Sequence, residues 1–242
     1  MQNRKYLLLL AGVFCGTLVC TIILSGKIVS IFGLTFPASI VLFPATFMFG
    51  DILTEVYGYS VTRQVVWAGL ISEIVWVAGY WTAAALPPAP FWSAQDAFVT
   101  VLGLTPRIAV AGMTAYVVGE FVNSYVLAKL KVMTGGRYLA VRLVGSTVFG
   151  AAADTVIVLG IAFAGIYTIS QMFWMGLSVW FLKVVWELVA LPVSMPLIAW
   201  LKRQENEDYY DRDTDFSPFT LADRKRSLER ARPAAGSAVS PL

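Results

Sequence analysis

The chain has 242 residues, 58% of them apolar and only 14% charged, with a formal net charge of +3. The apolar residues come in unbroken blocks of about 20, the length that crosses roughly 30 Å of bilayer hydrocarbon, which excludes a water-soluble fold. With no histidine, imidazole metal sites, Ser/His/Asp triads and histidine proton relays are excluded, and any proton chemistry falls to carboxylates.

In chain order the blocks predict six membrane helices near residues 6–25, 37–56, 64–86, 106–128, 143–167 and 172–201, an all-α integral membrane protein. The first block lacks an A-x-A cleavage site and reads as a retained span. It holds Cys15 and Cys20, whose spacing offers neither a disulfide framework nor a CxxC metal site, and "GVFCG" at 12–16, a GxxxG suited to close helix packing. A partner subunit or a second copy would fit the same groove. "LSGKIVS" around Lys27 lacks the upstream glycine and the Ser/Thr of a phosphate-binding loop, so uphill movement of a solute would draw on an ion gradient or a partner.

The loop "ALPPAPFWSAQDAF" (85–98) is stiffened by three prolines, and its Phe91 and Trp92 suit the headgroup layer as anchors. Arg4, Lys5, Arg63, Lys129, Lys131, Arg137, Arg142, Lys202 and Arg203 sort to one face, against Lys27 and Arg107 on the other. The positive-inside rule then puts both termini in the cytoplasm, as an even number of spans requires. Residues 1–201 form the membrane domain in this reading. Residues 202–242, balanced in charge and ending "ARPAAGSAVSPL", form a cytoplasmic tail that is partly disordered. "DRDTDF" in that tail resembles the start of a calcium loop, but Phe216 stands where glycine is needed and Ala222 where the bidentate glutamate belongs. No metal and no cofactor are therefore expected.

Six acids lie in or at the ends of the predicted spans: Asp51, Glu55, Glu73, Glu120, Asp154 and Glu187, with Lys183 the one base placed as deeply. A central aspartate costs roughly 2.5 to 3.5 kcal/mol on insertion scales, so these groups must face a cavity, a partner or a ligand. Four of them sit in a recurring pattern, "GDILTE" at 50–55, "GEFVNS" at 119–124 and "GAAADT" at 150–155. Its second and fifth positions share a helix face, and its leading Gly50, Gly119 and Gly150 allow another helix or a flat ligand close to the backbone. Asp51 and Glu55 lie near a helix end, where hydration and function both explain them. Glu120, with Asn123 on its face, and Asp154 lie deeper, and Glu73 has the least support. Lys183 and Glu187, four apart, can pair along one helix, by structural neutralisation or for ligand contact.

The stretches "FGDILTEVYGY", "LPPAPFW", "TPRIAVAG", "GEFVNSYVLAKLKVMTGGRYLAVRLVGST" and "LKRQENEDYYDRDTDFSPF" resemble the queuosine precursor transporter family, a branch of the vitamin-uptake transporters, over about residues 35 to 219. The resemblance implies a multi-pass inner-membrane importer, not an enzyme, for 7-cyano-7-deazaguanine and its aminomethyl relative. It also implies a fold similar to the substrate-binding subunits of energy-coupling-factor transporters, with no nucleic-acid partner. Where the family often has glutamine or glutamate after the glycine of the fifth helix, this chain has Ala151, which removes one polar contact. A deazaguanine offers adjacent N–H donors that one carboxylate accepts together, as it accepts an arginine fork, and its flat ring stacks on aromatic faces. Glu120, Asn123 and Asp154 are the expected readers of that edge, and Asp51, Glu55, Lys183 and Glu187 the supporting or gating groups. Phe43, Phe47, Phe121, Tyr125, Trp180 and Trp186 are the candidate stacking faces. Two alternatives stay open, a secondary importer and a substrate-binding subunit driven by a separate ATPase module; a third, an intramembrane enzyme using an acid pair for general acid/base work, is disfavoured by the lack of histidine, paired cysteines or a serine motif.

Overall fold

Every backbone N–H and C=O in hydrocarbon needs a partner inside the chain, so uninterrupted apolar blocks close their hydrogen bonds as helices. The computed structural model describes residues 4–25, 27–31, 34–103 and 106–220. Among them the α-helices are α1 (Leu7–Ser25), α2 (Phe43–Tyr57), α3 (Tyr59–Ala85), α4 (Gln95–Leu102), α5 (Pro106–Met133), α6 (Leu139–Ala162) and α7 (Ile169–Glu205). Five stretches are long and apolar enough to cross a membrane: α1, α3, the Gln95–Met133 stretch holding α4 and α5, α6 and α7. The ends of these helices lie within about a turn of the sequence reading.

The expected span at 37–56 takes a different form. Strands β1 (Ile28–Ile31) and β2 (Leu34–Pro37) pair antiparallel, with Val29 opposite Phe36, and a 3₁₀ turn (Ala38–Val41) leads into α2. Pro37 and Pro44 lack the N–H that a continuous helix needs, so the chain satisfies its backbone as a hairpin before the helix begins. With 15 residues, α2 reaches about 22 Å at 1.5 Å per residue, short of the hydrocarbon thickness. Gly58, in the left-handed region at φ 84°, turns the chain from α2 directly into α3.

Lipid removes most of the hydrophobic drive between helices, so close packing and polar contacts must hold them. The three glycines of the recurring pattern supply the close approach. A Cβ on Gly119 of α5 would lie 2.8 Å from Asp154 Cβ of α6, and one on Gly150 would lie 2.7 Å from Asn123 Cβ, so the two helices cross nearly backbone to backbone. A Cβ on Gly50 of α2 would overlap Glu120 Oε2. By contrast, Gly12 and Gly16 of the GxxxG on α1 are exposed and have no heavy atom near the position of a Cβ. The main apolar core, with Phe14, Ile52, Leu53, Leu127, Leu143 and Ile198, lies toward the end of the bundle that carries Arg63, Lys131, Arg142 and Lys202, the basic end.

The chain closes over that end. Glu205, at the end of α7, accepts the N–H groups of Lys5 (3.1 Å) and Tyr6 (2.7 Å) and the Tyr57 hydroxyl (2.9 Å), satisfying donors at the start of α1. Asn206, left-handed at φ 48°, ends α7 and starts a strap of residues 206–219 along the basic end. The strap is anchored by Arg4–Glu207 (2.6 Å), by Asp211 receiving the Tyr59 N–H, and by Trp67 Nε1 donating to the Pro218 carbonyl (2.8 Å). Asp211 also accepts the Thr214 hydroxyl, so the first carboxylate of "DRDTDF" serves this fastening. Residues 221–242 of the expected tail lie outside the described residues.

Candidate functional site

Four helices carry polar side chains to one buried centre. α2 presents Asp51, α5 presents Glu120 and Asn123, α6 presents Asp154, and α7 presents Lys183 and Glu187, each at most 8% exposed. At 1.5 Å per residue, Glu120 and Asp154 stand roughly 16 to 18 Å along their helices from Lys131 and Arg142, near the middle of the hydrocarbon.

Inside the centre Asn123 Nδ2 donates to Asp51 Oδ1 at 2.7 Å. That bond fixes the amide, because the carboxylate can only accept. The Lys183 ammonium pairs with Asp154 Oδ2 and sits 4.1 Å above the Phe43 ring, which packs 5.1 Å from Phe47. This aromatic floor and ion pair leave three further carboxyls, Asp51, Glu120 and Glu187, within electrostatic reach of one another. Their buried atoms are not all used: both Glu120 oxygens, Asp51 Oδ2, Asn123 Oδ1 and Glu187 Oε1 have no hydrogen-bond partner among the described residues. An orphaned buried polar atom costs roughly 1 to 3 kcal/mol, more when it is charged, so five of them at one point mark a place built to receive donors.

One turn from Asp51 along α2, Glu55 anchors a second cluster at the basic end. Its carboxylate is fully buried and takes two hydrogen bonds from Arg142, both 3.1 Å, and one from Lys202 at 2.6 Å. Lys131 lies 3.5 Å away and also donates to Asp208 Oδ1 of the strap at 2.5 Å. Burial alone would raise the Asp208 carboxyl, but hydrogen bonds from Lys131 and Lys202 outweigh it and hold it below the usual aspartate range. The nearer half of the α2 acid pair thus faces the centre, and the farther half is consumed by cations.

The structure gathers Asp51, Glu120, Asn123, Asp154, Lys183, Glu187 and Phe47, and separates the other candidates. Glu55 belongs to the ion cluster. Tyr125 is 44% exposed, and its ring meets Phe216 of the strap edge-on at 5.1 Å. Trp186 is half-buried on α7. Phe121 packs with Tyr59 and Trp67, and Trp180 Nε1 is taken by the Val148 carbonyl at 2.9 Å. Lys183 does not pair with Glu187 along α7 as its spacing suggested. Asp154 on the neighbouring helix offers a carboxylate directly, whereas lysine preceding glutamate is the weaker order for a helical pair. The partners Lys131, Arg142 and Lys202 were missed as site groups, although their charge bias had placed all three on the same side as Glu55.

A comparison with curated proteins finds the chain 29% identical over 177 residues to the "Probable queuosine precursor transporter" of Bacillus subtilis (strain 168), covering 73% of this chain and 77% of that relative. No solved structure matches. The family described as "Putative vitamin uptake transporter" matches residues 37–197, a range that holds every residue of the buried centre. By that match this multi-pass membrane protein belongs to the "Putative vitamin uptake transporter" family.

Proposed function

We propose that the chain imports a queuosine precursor, 7-cyano-7-deazaguanine and its aminomethyl relative, across the inner membrane as a secondary transporter. In this reading both termini are cytoplasmic, residues 1–201 form the membrane domain and 202–242 a cytoplasmic segment. The observation that carries it is Glu120, 2% exposed in the middle of the bundle with neither carboxylate oxygen hydrogen-bonded among the described residues. A deazaguanine pairing edge supplies two adjacent N–H donors to such a group. Asp51, Asn123 and Glu187 accept or orient further polar edges, and the Phe43–Phe47 pair offers a face for the ring. The Lys183–Asp154 pair supplies a fixed dipole and a donor for the carbonyl oxygen of the base. The named relative and the family support the substrate class and the transport activity.

The test is uptake of labelled 7-cyano-7-deazaguanine in cells unable to synthesise it, with and without the chain. Glu120→Gln keeps the shape and half the acceptors, and uptake should fall by about tenfold or more, the equivalent of roughly 1.4 kcal/mol. Full uptake by both Glu120→Gln and Asp154→Asn, with unchanged membrane levels, would remove these residues from the site. Reconstitution of the purified chain distinguishes a transporter from a binding subunit of an ATP-driven complex, which would bind the solute without accumulating it.

A further inference from the structure

One deep acid has no part in the centre. Glu73 lies in the middle of α3, 5% exposed, and its Oε2 has no hydrogen-bond partner among the described residues. No lysine or arginine forms an ion pair with it among those residues. The ionisable groups around it come from two elements. From α5 comes Tyr116, whose phenol lies within electrostatic reach of both Glu73 and Glu120. From α1 comes Cys15, whose thiol lies against Ser72, the residue next to Glu73. The acids of the other elements on α3 are engaged elsewhere, Asp51 and Glu55 of α2 in the centre and the ion cluster. Asp96 of α4 sits near the far end of α3, where Gln95 bonds the Ala84 carbonyl.

Helical register links Glu73 to the centre. Gly69 and Glu73 are one turn apart on one face of α3, and the Tyr116 hydroxyl fills the space a Gly69 side chain would occupy, donating to the Val66 carbonyl at 3.0 Å. Tyr116 and Glu120 are again one turn apart, on α5. Tyr116 thus stands between Glu73 of α3 and Glu120 of α5 in register, its hydroxyl held on the Val66 carbonyl, while Glu73 Oε2 and both Glu120 oxygens have no hydrogen-bond partner among the described residues. A carboxylate in hydrocarbon without a cation in reach is costly, and binding a proton removes that charge.

We propose that Glu73 is the proton site that couples import to the proton gradient, with Tyr116 relaying its occupancy to Glu120. The proposal rests on the import reading and assigns its driving ion. One proton enters Glu73 from the outer side with the solute and leaves toward the basic end as the solute is released, so charge and protons balance over the cycle. No covalent step is involved.

Wild type, Glu73→Gln and Glu73→Asp are purified and reconstituted in proteoliposomes, with labelled 7-cyano-7-deazaguanine as the probe. Two readouts are taken: accumulation driven by an acid-outside gradient, and counterflow exchange without a gradient. Wild type should accumulate label only with the gradient and lose it on adding a protonophore. Glu73→Gln should lose accumulation by tenfold or more while retaining counterflow within about twofold, and Glu73→Asp should retain both. Gradient-driven accumulation by Glu73→Gln at the wild-type level overturns the assignment. So does wild-type accumulation indifferent to the pH gradient, or loss of counterflow together with accumulation in Glu73→Gln, which marks a structural role. Absence of binding and counterflow in wild type would instead overturn the import reading on which the proposal stands.

Discussion

Arg142 donates two parallel hydrogen bonds to the Glu55 carboxylate, both side chains buried, and the arrangement is stable only while each charge has its partner. Removing one side of a buried ion pair costs roughly 3 to 5 kcal/mol, because the survivor stays desolvated and uncompensated. Glu55→Ala leaves Arg142 and Lys131 facing each other with Lys202 nearby, so the melting temperature in detergent should fall steeply. Pairing it with Arg142→Met should recover part of the loss, since an apolar replacement of the pair is tolerated far better than half of it. Equal melting of Glu55→Ala and wild type would show that the cluster contributes nothing. The outcome also explains what was legible at this scale. Lack of charge in the surrounding blocks singled out all six acids, because lipid makes every ionisable group conspicuous, and depth set Glu120 and Asp154 ahead of Asp51 and Glu55 at a helix end. The partners were not legible: Arg142 and Lys131 lie at the ends of their helices, where a basic residue is ordinary, and only the fold aims them inward at Glu55. Tyr125 failed for the converse reason. It lies two residues from Asn123, about 200° around a helix, and so faces outward.

At the level of elements, the contact between α5 and α6 depends on Gly119 and Gly150. A leucine at either position would enter backbone or Cβ atoms already within 3.3 Å of the ideal Cβ, which side-chain rotation cannot relieve. Gly150→Leu should push the helices apart and destabilise the fold by about 1 to 3 kcal/mol, the usual cost of overpacking, whereas Gly160→Leu on the same helix, where a Cβ meets nothing, should be nearly neutral. Thermal unfolding of the two variants makes the comparison. This close approach was readable from the glycine-led pattern, and so were the helices formed by α1, α3, α5, α6 and α7. The hairpin before α2 was hidden because it falls in the connection between the first two predicted spans, where hydropathy does not register strand pairing, and Pro44 in the first turn of α2 sets the helix start later than the apolar block. A short ordered piece after Lys202 was expected, but its docking along the bundle was not. Its composition cannot build a core of its own, but it does not need one, since Tyr209, Phe216 and Pro218 bury against surfaces the bundle already provides.

For the whole molecule, the strap ties the start of α1 to the end of α7, and its ionic part sets a pH dependence. Asp208 is held below the usual aspartate range in the folded chain by Lys131 and Lys202. A carboxyl with a depressed folded value adds stability that is complete above its unfolded value, about 3.9, and is lost as pH falls through the lower folded one. Because its side chain is 43% exposed, solvent screening keeps that contribution below about 1 kcal/mol. The strap should therefore stay docked from neutral pH down to about 4 and loosen below it. Loosening would uncover the Arg63 side chain, now donating to the Asp215 and Ser217 carbonyls, and the Tyr59 ring against which Phe216 packs. Hydrogen exchange at the Tyr59 amide, bonded to Asp211, and at the Tyr209 amide, bonded to the Val56 carbonyl, follows the docking directly. Protection at both should fall together as the pH is lowered past the carboxylate range. Asp208→Asn, which keeps the shape without the charge, should show weaker protection at neutral pH and a smaller change on acidification. Identical protection curves for the variant and the wild type would mean that apolar and backbone contacts hold the strap without the ion cluster.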